Sequence, residues 1–203
     1  MKVEFFLDYR SPFAYLANSQ TAELPAEVEH RPVDVVSVMR AVNNQPSTAC
    51  PSKARYSLLD ASRWAKHYGV PFSPNRTLMN AMATRQFDGV MLARAALASA
   101  DLGVFEAAHA ALFSAVWASD IDLSSESARE GFLRSHGLPA SLWEAAMDPS
   151  IEDRLAAHNT LAADRGVFGV PTFFVDNEMF FGNDRLQFVG DSLRQRISAG
   201  DAA

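Results

Sequence analysis

A single cysteine, Cys50, stands among 203 residues. That scarcity removes several chemistries at once. No intramolecular disulfide can form, and no Cys-x-x-Cys redox or metal motif exists. A chain so poor in cysteine fits a reducing, cytoplasmic setting. Cationic groups are also in short supply, with 18 Lys and Arg against 24 Asp and Glu, a net charge of -6. Phosphate binding needs a cationic surface, so a nucleic-acid partner is not expected. No apolar run approaches the roughly 18 residues of a membrane helix, so no membrane partner is expected either. "MKVEFFLDYR" lacks an apolar stretch behind a basic start, and no signal peptide is expected. The glycines form neither G-x-G-x-x-G nor a P-loop. There is no G-x-S-x-G elbow, and none of His30, His67, His109, His136 and His158 stands in a recognisable nucleophile setting. No two histidines are four apart and no Cys/His cluster exists, so no metal site is expected.

What is present reads as an α/β protein. "KVEFFLDY" is rich in aromatic and β-type residues and is bounded by polar punctuation, which predicts a strand. Ser11 and Pro12 follow as a helix start, Ser as the N-cap and Pro at the first helical position. "EVEHRPVDVV" predicts a second strand, completing a β-α-β unit. From about residue 45 to 155 only helical patterns follow. "SKARYSLLDASRWAKHYG" has Tyr56, Leu59, Arg63 and Trp64 at helical spacing and stops at Gly69. "TLMNAMATRQFDGVMLARAALASADLG" reads as one Ala-rich helix, and further amphipathic stretches continue to "SIEDRLAAHNTLAADRG". Strand character returns in "PTFFV" and "EMFF", which flank "DN" as a hairpin turn. A closing helix over "NDRLQFVGDSLRQRISAG" is capped by Asn183 or Asp184, and the final "GDAA" is expected to fray. Residues 1–44 and 156–203 therefore form one discontinuous α/β domain, and 45–155 an all-helical insertion.

Two stretches carry chemistry. Ser11 sits where a helix start presents unpaired N–H groups and favours an anion. A serine there cannot itself ionise usefully near neutral pH, but it can donate a hydrogen bond to a thiolate brought by another molecule. On pattern alone its reading as a plain N-cap is favoured. Pro171, in "GVFGVPTFFV", is either a strand-entry residue or a cis proline in a tight turn. In the second case the Val170 backbone could pair with an extended peptide.

Three blocks together carry a family resemblance: "FFLDYRSPFAYLA", "SKARYSLLDASRWAKHYGVP" and "GVFGVPTFFVDNEMFFGNDRL". In order and spacing they resemble the thioredoxin-like fold of the disulfide-oxidoreductase A type. More narrowly they resemble the 2-hydroxychromene-2-carboxylate isomerases and the related kappa-class glutathione transferases. The resemblance implies a thioredoxin-like fold with a large all-helical insertion, glutathione as cofactor and a homodimer. It implies an enzyme of aromatic catabolism interconverting 2-hydroxychromene-2-carboxylate and trans-o-hydroxybenzylidenepyruvate. In that chemistry the glutathione thiolate adds to the conjugated alkene, the bond rotates and elimination gives the trans isomer.

Carried over residue by residue, the resemblance makes Ser11 the catalytic hydrogen-bond donor to the glutathione sulfur. Val170, before Pro171, pairs with the cysteinyl backbone, and Asn183 and Asp184 hold the γ-glutamyl end. Asn44, Lys53 and Asp60 match polar positions lining the same site. Each has a bland reading: Asn44 as a loop residue, Lys53 as an exposed helix charge, Asp60 as a partner of Arg63 or Arg55. For the flat, anionic aromatic substrate the candidates are Arg10, Phe13, Tyr56, Trp64 and Arg85, with Arg10 alternatively turned to solvent. Rival readings are a kappa-like transferase or peroxidase acting on another electrophile, and a non-catalytic thioredoxin-like binding protein. Cys50 lies outside the matched active-site position.

Overall fold

In the computed structural model residues 1–200 are described; the expected frayed end "GDAA" lies outside them except for the backbone of Gly200. The chain divides into two compact units. One comprises Met1–Val70 and the chain from Asn159 onward; the other is Pro71–His158.

The first unit opens with β1 (Lys2–Leu7), α1 (Pro12–Asn18), β2 (Glu27–Pro32), α2 (Val35–Ala41) and α3 (Pro51–Tyr68). The second unit holds α4 (Arg76–Ala83), α5 (Val90–Asp101), α6 (Phe105–Trp117), α7 (Glu126–Ser135), α8 (Leu142–Ala145) and the start of α9 (Pro149–Asp164). The first unit closes with β3 (Thr172–Val175), β4 (Glu178–Phe181) and α10 (Leu186–Gly200). This is a thioredoxin-like α/β fold with a large helical share. The expected boundary at residue 45 does not match this division. Helix α3 packs against α1 and so belongs with the sheet.

The sheet order is β2-β1-β3-β4. β1 runs parallel to β2 and antiparallel to β3, and β3 is antiparallel to β4. Its central place explains why β1 reads as an almost unbroken apolar run: both of its faces are covered. Phe5 stacks on Phe173 at 4.5 Å on one face, and Phe6 meets Phe174 edge-on at 5.7 Å on the other. Phe6 and Phe174 join Val33, Val38, Ala162, Val167 and Val170 in one buried cluster. Full burial of each phenylalanine contributes about 2–3 kcal/mol. Arg165 lies over the Phe174 ring at 3.7 Å and pairs with Glu4. The hairpin turns at Asp176–Asn177 as expected, with Asp176 in the left-handed region (φ 55).

Two expectations are corrected, and the covered face of α3 is identified. The "TLMN…ADLG" stretch is two helices, α4 and α5, broken by a left-handed Arg85 (φ 59) and a buried Phe87. On α3, Tyr56 and Leu59 are exposed, and the buried face is Ala61 and Ala65. Alanines there allow close approach to α1, whose own buried residues are Ala14, Leu16 and Ala17. Finally, Asn183 and Asp184 do not begin α10; they form a 3-10 turn, Asn183–Arg185, ahead of it.

Candidate active site

The site is built within the first unit, where the front and the end of the chain meet. Ser11 caps α1: its Oγ accepts the Ala14 N–H at 3.2 Å, and its own N–H donates to the Asp8 carbonyl at 2.9 Å. The same hydroxyl donates to the Val170 carbonyl at 3.4 Å, a long contact that a better acceptor can replace. The cap reading and the functional reading therefore hold for one side chain. Helix α1 has only seven residues, so its dipole is small and the hydroxyl is the main polar group offered.

The Val170–Pro171 peptide is cis. One residue further, β3 begins, and the Pro171 carbonyl accepts the Gly182 N–H at 2.9 Å. That bond ties the start of β3 to the turn holding Asn183 and Asp184. α1 packs against the same turn. Asn183 is buried, and the Tyr68 hydroxyl at the end of α3 donates to its carbonyl at 3.1 Å. Burial raises the Tyr68 phenol above its ordinary value; the bond with Asn183 works against that and Asp184 adds to it. Asp184 is exposed and pairs with Arg185. Trp64, His67, Tyr68, Asn183 and Asp184 line part of one cleft of about 340 Å³.

Asn44 donates from Nδ2 to the Phe168 carbonyl at 2.8 Å, two residues before Val170. Asp60 accepts from Tyr56 at 3.5 Å and pairs with Arg63 at 3.5 Å, as its bland reading expects. Lys53 projects from the exposed side of α3 and is paired with none of these groups. Phe13 is half-buried on α1. Arg85 is exposed and lies in the second unit.

Arg10 neither turns freely to solvent nor offers an unpaired cation. Its Nε reaches both oxygens of Asp8 at 2.9 and 3.2 Å, and Nη2 reaches Asp34 at 2.5 Å. Burial opposes the guanidinium's charge, but Asp8 and then Asp34 outweigh it and hold Arg10 above its ordinary value. Burial likewise opposes the Asp34 carboxylate, yet Ser37, Arg10 and the Val36 N–H keep it below the usual range.

Sequence reasoning missed Tyr68, Asp8 and Asp34. An acid closing the apolar run "FFLD" was the available signal for Asp8, and an aromatic four residues after Trp64 was the signal for Tyr68. It also missed Phe168 and Phe181, two exposed rings packed at 4.5 Å, close in sequence to Val170 and Asn183 respectively.

A cap serine facing the entry of an antiparallel strand in a β2-β1-β3-β4 sheet defines a thioredoxin-class protein. Residues 2–194 match the DSBA-like thioredoxin domain family, and the chain belongs to it. Within that class it belongs to the family of the 2-hydroxychromene-2-carboxylate isomerases. It is 31% identical to 2-hydroxychromene-2-carboxylate isomerase of Sphingobium xenophagum, covering 94% of this chain and 97% of that protein. It is also 22% identical to Glutathione S-transferase kappa 1 of Caenorhabditis elegans, over 96% of this chain and 91% of that protein. A solved structure of a 2-hydroxychromene-2-carboxylate isomerase matches all of this chain and 98% of its own, with a TM-score of 0.81 at 27% identity.

Proposed function

We propose that the chain is a glutathione-dependent isomerase that interconverts 2-hydroxychromene-2-carboxylate and trans-o-hydroxybenzylidenepyruvate. The observation that carries the reading is the Ser11 hydroxyl facing the Val170 carbonyl, which joins two of the three resembling blocks in one site.

The donor set suits the tripeptide. Ser11 offers a hydroxyl proton now resting on a distant acceptor. Val170 offers a backbone carbonyl at the strand entry for the cysteinyl part. The Asp184 carboxylate is exposed and would receive the γ-glutamyl ammonium in competition with Arg185. Asn183 is fixed by Tyr68 and would orient the same end. The Asn44 side chain holds the loop that carries Val170, and the unpaired Lys53 would meet a carboxylate. Asp60 completes the polar side of α3. When bound, glutathione supplies a thiolate nucleophile that makes the substrate's double bond rotatable. Ser11 holds that sulfur as an anion. Phe13 and Trp64, both half-buried, would give the aromatic substrate apolar surface, and Tyr56 would approach from its exposed position.

The test is turnover of the chromene by protein freed of glutathione and then resupplied with it. Activity is expected only after resupply, and glutathione binding is expected by calorimetry. Turnover without glutathione rejects the mechanism. The likeness to a kappa-class transferase supports a second reading, in which the same site acts on another electrophile. A generic electrophile assayed beside the chromene separates the two. A homodimer belongs to the first reading, and sedimentation tests it.

A further inference from the structure

Behind Ser11 lies a charge cluster that the proposed reaction does not use directly. The Asp8 side chain is 3% exposed, and its carboxylate receives Arg10 Nη2 at 2.5 Å as well as both Nε contacts. It also accepts the Arg10 backbone N–H at 2.9 Å and the Val35 N–H at 3.0 Å. Arg10 Nη2 continues to Asp34, which caps α2 by accepting the Val36 N–H at 3.3 Å. The Asp8 carbonyl holds the Ser11 N–H at 2.9 Å. One residue thus anchors the β1–α1 turn, the start of α2 and the Ser11 backbone together.

Two carboxylates face one guanidinium, a formal balance of one negative charge a single residue from Ser11. From α9 the approaching side chain is neutral: Asn159 accepts the Asp34 N–H at 2.8 Å. On the turn against α1, Asp184 and Arg185 neutralise each other. Tyr68, on α3, is an uncharged phenol near neutral pH. Arg10 is the partly buried cation of this cluster; Lys53, the other cation proposed for the site, is exposed on α3 and is screened more strongly by solvent.

We propose that Asp8, Arg10 and Asp34 form a charge clamp that positions Ser11 and sets the acidity of a thiol seated beside it. These are positioning residues: Arg10, a substrate candidate on sequence grounds, has its guanidinium engaged by Asp8 and Asp34. The inference rests on the reading of Ser11 as the donor to a thiol. Its signature is opposite signs. Losing Arg10 leaves two uncompensated carboxylates and makes the thiol less acidic. Neutralising Asp34 leaves Asp8 and Arg10 balanced and makes it more acidic. A merely structural network would give the same direction, or none, for both.

The experiment uses Ser11→Cys in a Cys50→Ser background, so that one thiol reports from the site without any ligand. Its titration is followed by thiolate absorbance. Adding Arg10→Met is expected to raise the thiol pKa by about 0.5–1, and adding Asp34→Asn to lower it by a similar amount. The two together return it close to the starting value, and Arg10→Lys leaves it nearly unmoved. Asn caps a helix as well as Asp, so the Asp34→Asn arm stays readable if Arg10→Met does not fold. Changes of the same sign, or no change in either variant, overturn the clamp. Failure of the wild-type chain to bind glutathione overturns the proposed function instead, and leaves this titration interpretable.

Discussion

Tyr68 and Asn183 exchange hydrogen bonds: the phenol donates to the Asn183 carbonyl at 3.1 Å, and Asn183 Nδ2 donates to the phenol oxygen at 3.3 Å. The pair fastens the end of α3 to the turn that carries Asp184. Tyr68→Phe leaves both Asn183 groups without these partners in a buried position. A loss of about 1–2 kcal/mol is expected in urea unfolding. Glutathione affinity falls with it, while kcat at saturating glutathione holds. Unchanged affinity in calorimetry would show that this turn does not shape the site.

Ser11→Ala removes the α1 cap and the proposed donor to sulfur. The cap is worth about 1 kcal/mol of stability. A hydrogen bond to a charged group is worth about 1.5–3 kcal/mol, so kcat/KM is expected to fall by about ten- to a hundredfold. The two effects separate cleanly, because turnover is measured where the protein remains folded. Turnover that survives at the wild-type level with saturating glutathione would remove Ser11 from the mechanism.

Gly182 sits between β4 and the Asn183 turn with φ 112, and a Cβ there would stand 2.5 Å from Asp184 Oδ1. Gly182→Ala combines a disfavoured backbone region with displacement of the Asp184 carboxylate. The expected cost is about 1–3 kcal/mol in stability. Glutathione binding is expected to weaken more than in Asp184→Asn, which keeps the side chain's shape. Calorimetry on both variants checks the order.

His30, on β2 beside Phe5, is held neutral by burial, which pushes its pKa from 6.5 down to about 4. The folded state therefore binds the proton less readily than the unfolded chain. This contribution is fully present above pH 6.5 and drains away as pH falls towards 4. A tenfold change in proton affinity corresponds to about 1.4 kcal/mol, so the loss approaches about 3 kcal/mol. Asp34 has the same sign in a lower window: its pKa is also lowered, so its share persists above the ordinary carboxylate range and disappears below it. Urea midpoints from pH 7 to 4 should fall in the wild type and flatten in His30→Gln.

The ends of the chain were the most legible part of this fold. β1 and β3 are short apolar runs bounded by turn residues, and a central strand buried on both faces has to look that way. The middle was legible as helix but not as separate helices. Arg85 in a left-handed conformation breaks the run, and a non-glycine residue gives no warning of that. Periodicity on α3 showed a stripe without saying which face was covered, and the answer was alanine rather than Tyr56 and Leu59. The ion pairs of Arg10 were not legible because one of its carboxylates comes from 24 residues downstream, a neighbour that the parallel β1–β2 pairing supplies. Asn44 reached Phe168 for a similar reason, across 124 residues.

The strand order has a consequence for the chain during its own synthesis. β1 lies between β2, which follows it closely, and β3, which begins at Thr172. Ser11 therefore leaves the ribosome long before Val170, 159 residues away, exists to face it. A nascent chain can form the β1–α1–β2 unit and its charge cluster early, then must carry an open edge of β1 through the whole helical unit. Premature termination anywhere before β3 leaves that edge unpaired and Ser11 without its facing strand. The site thus comes into being only once translation has passed the helical unit and reached the closing hairpin.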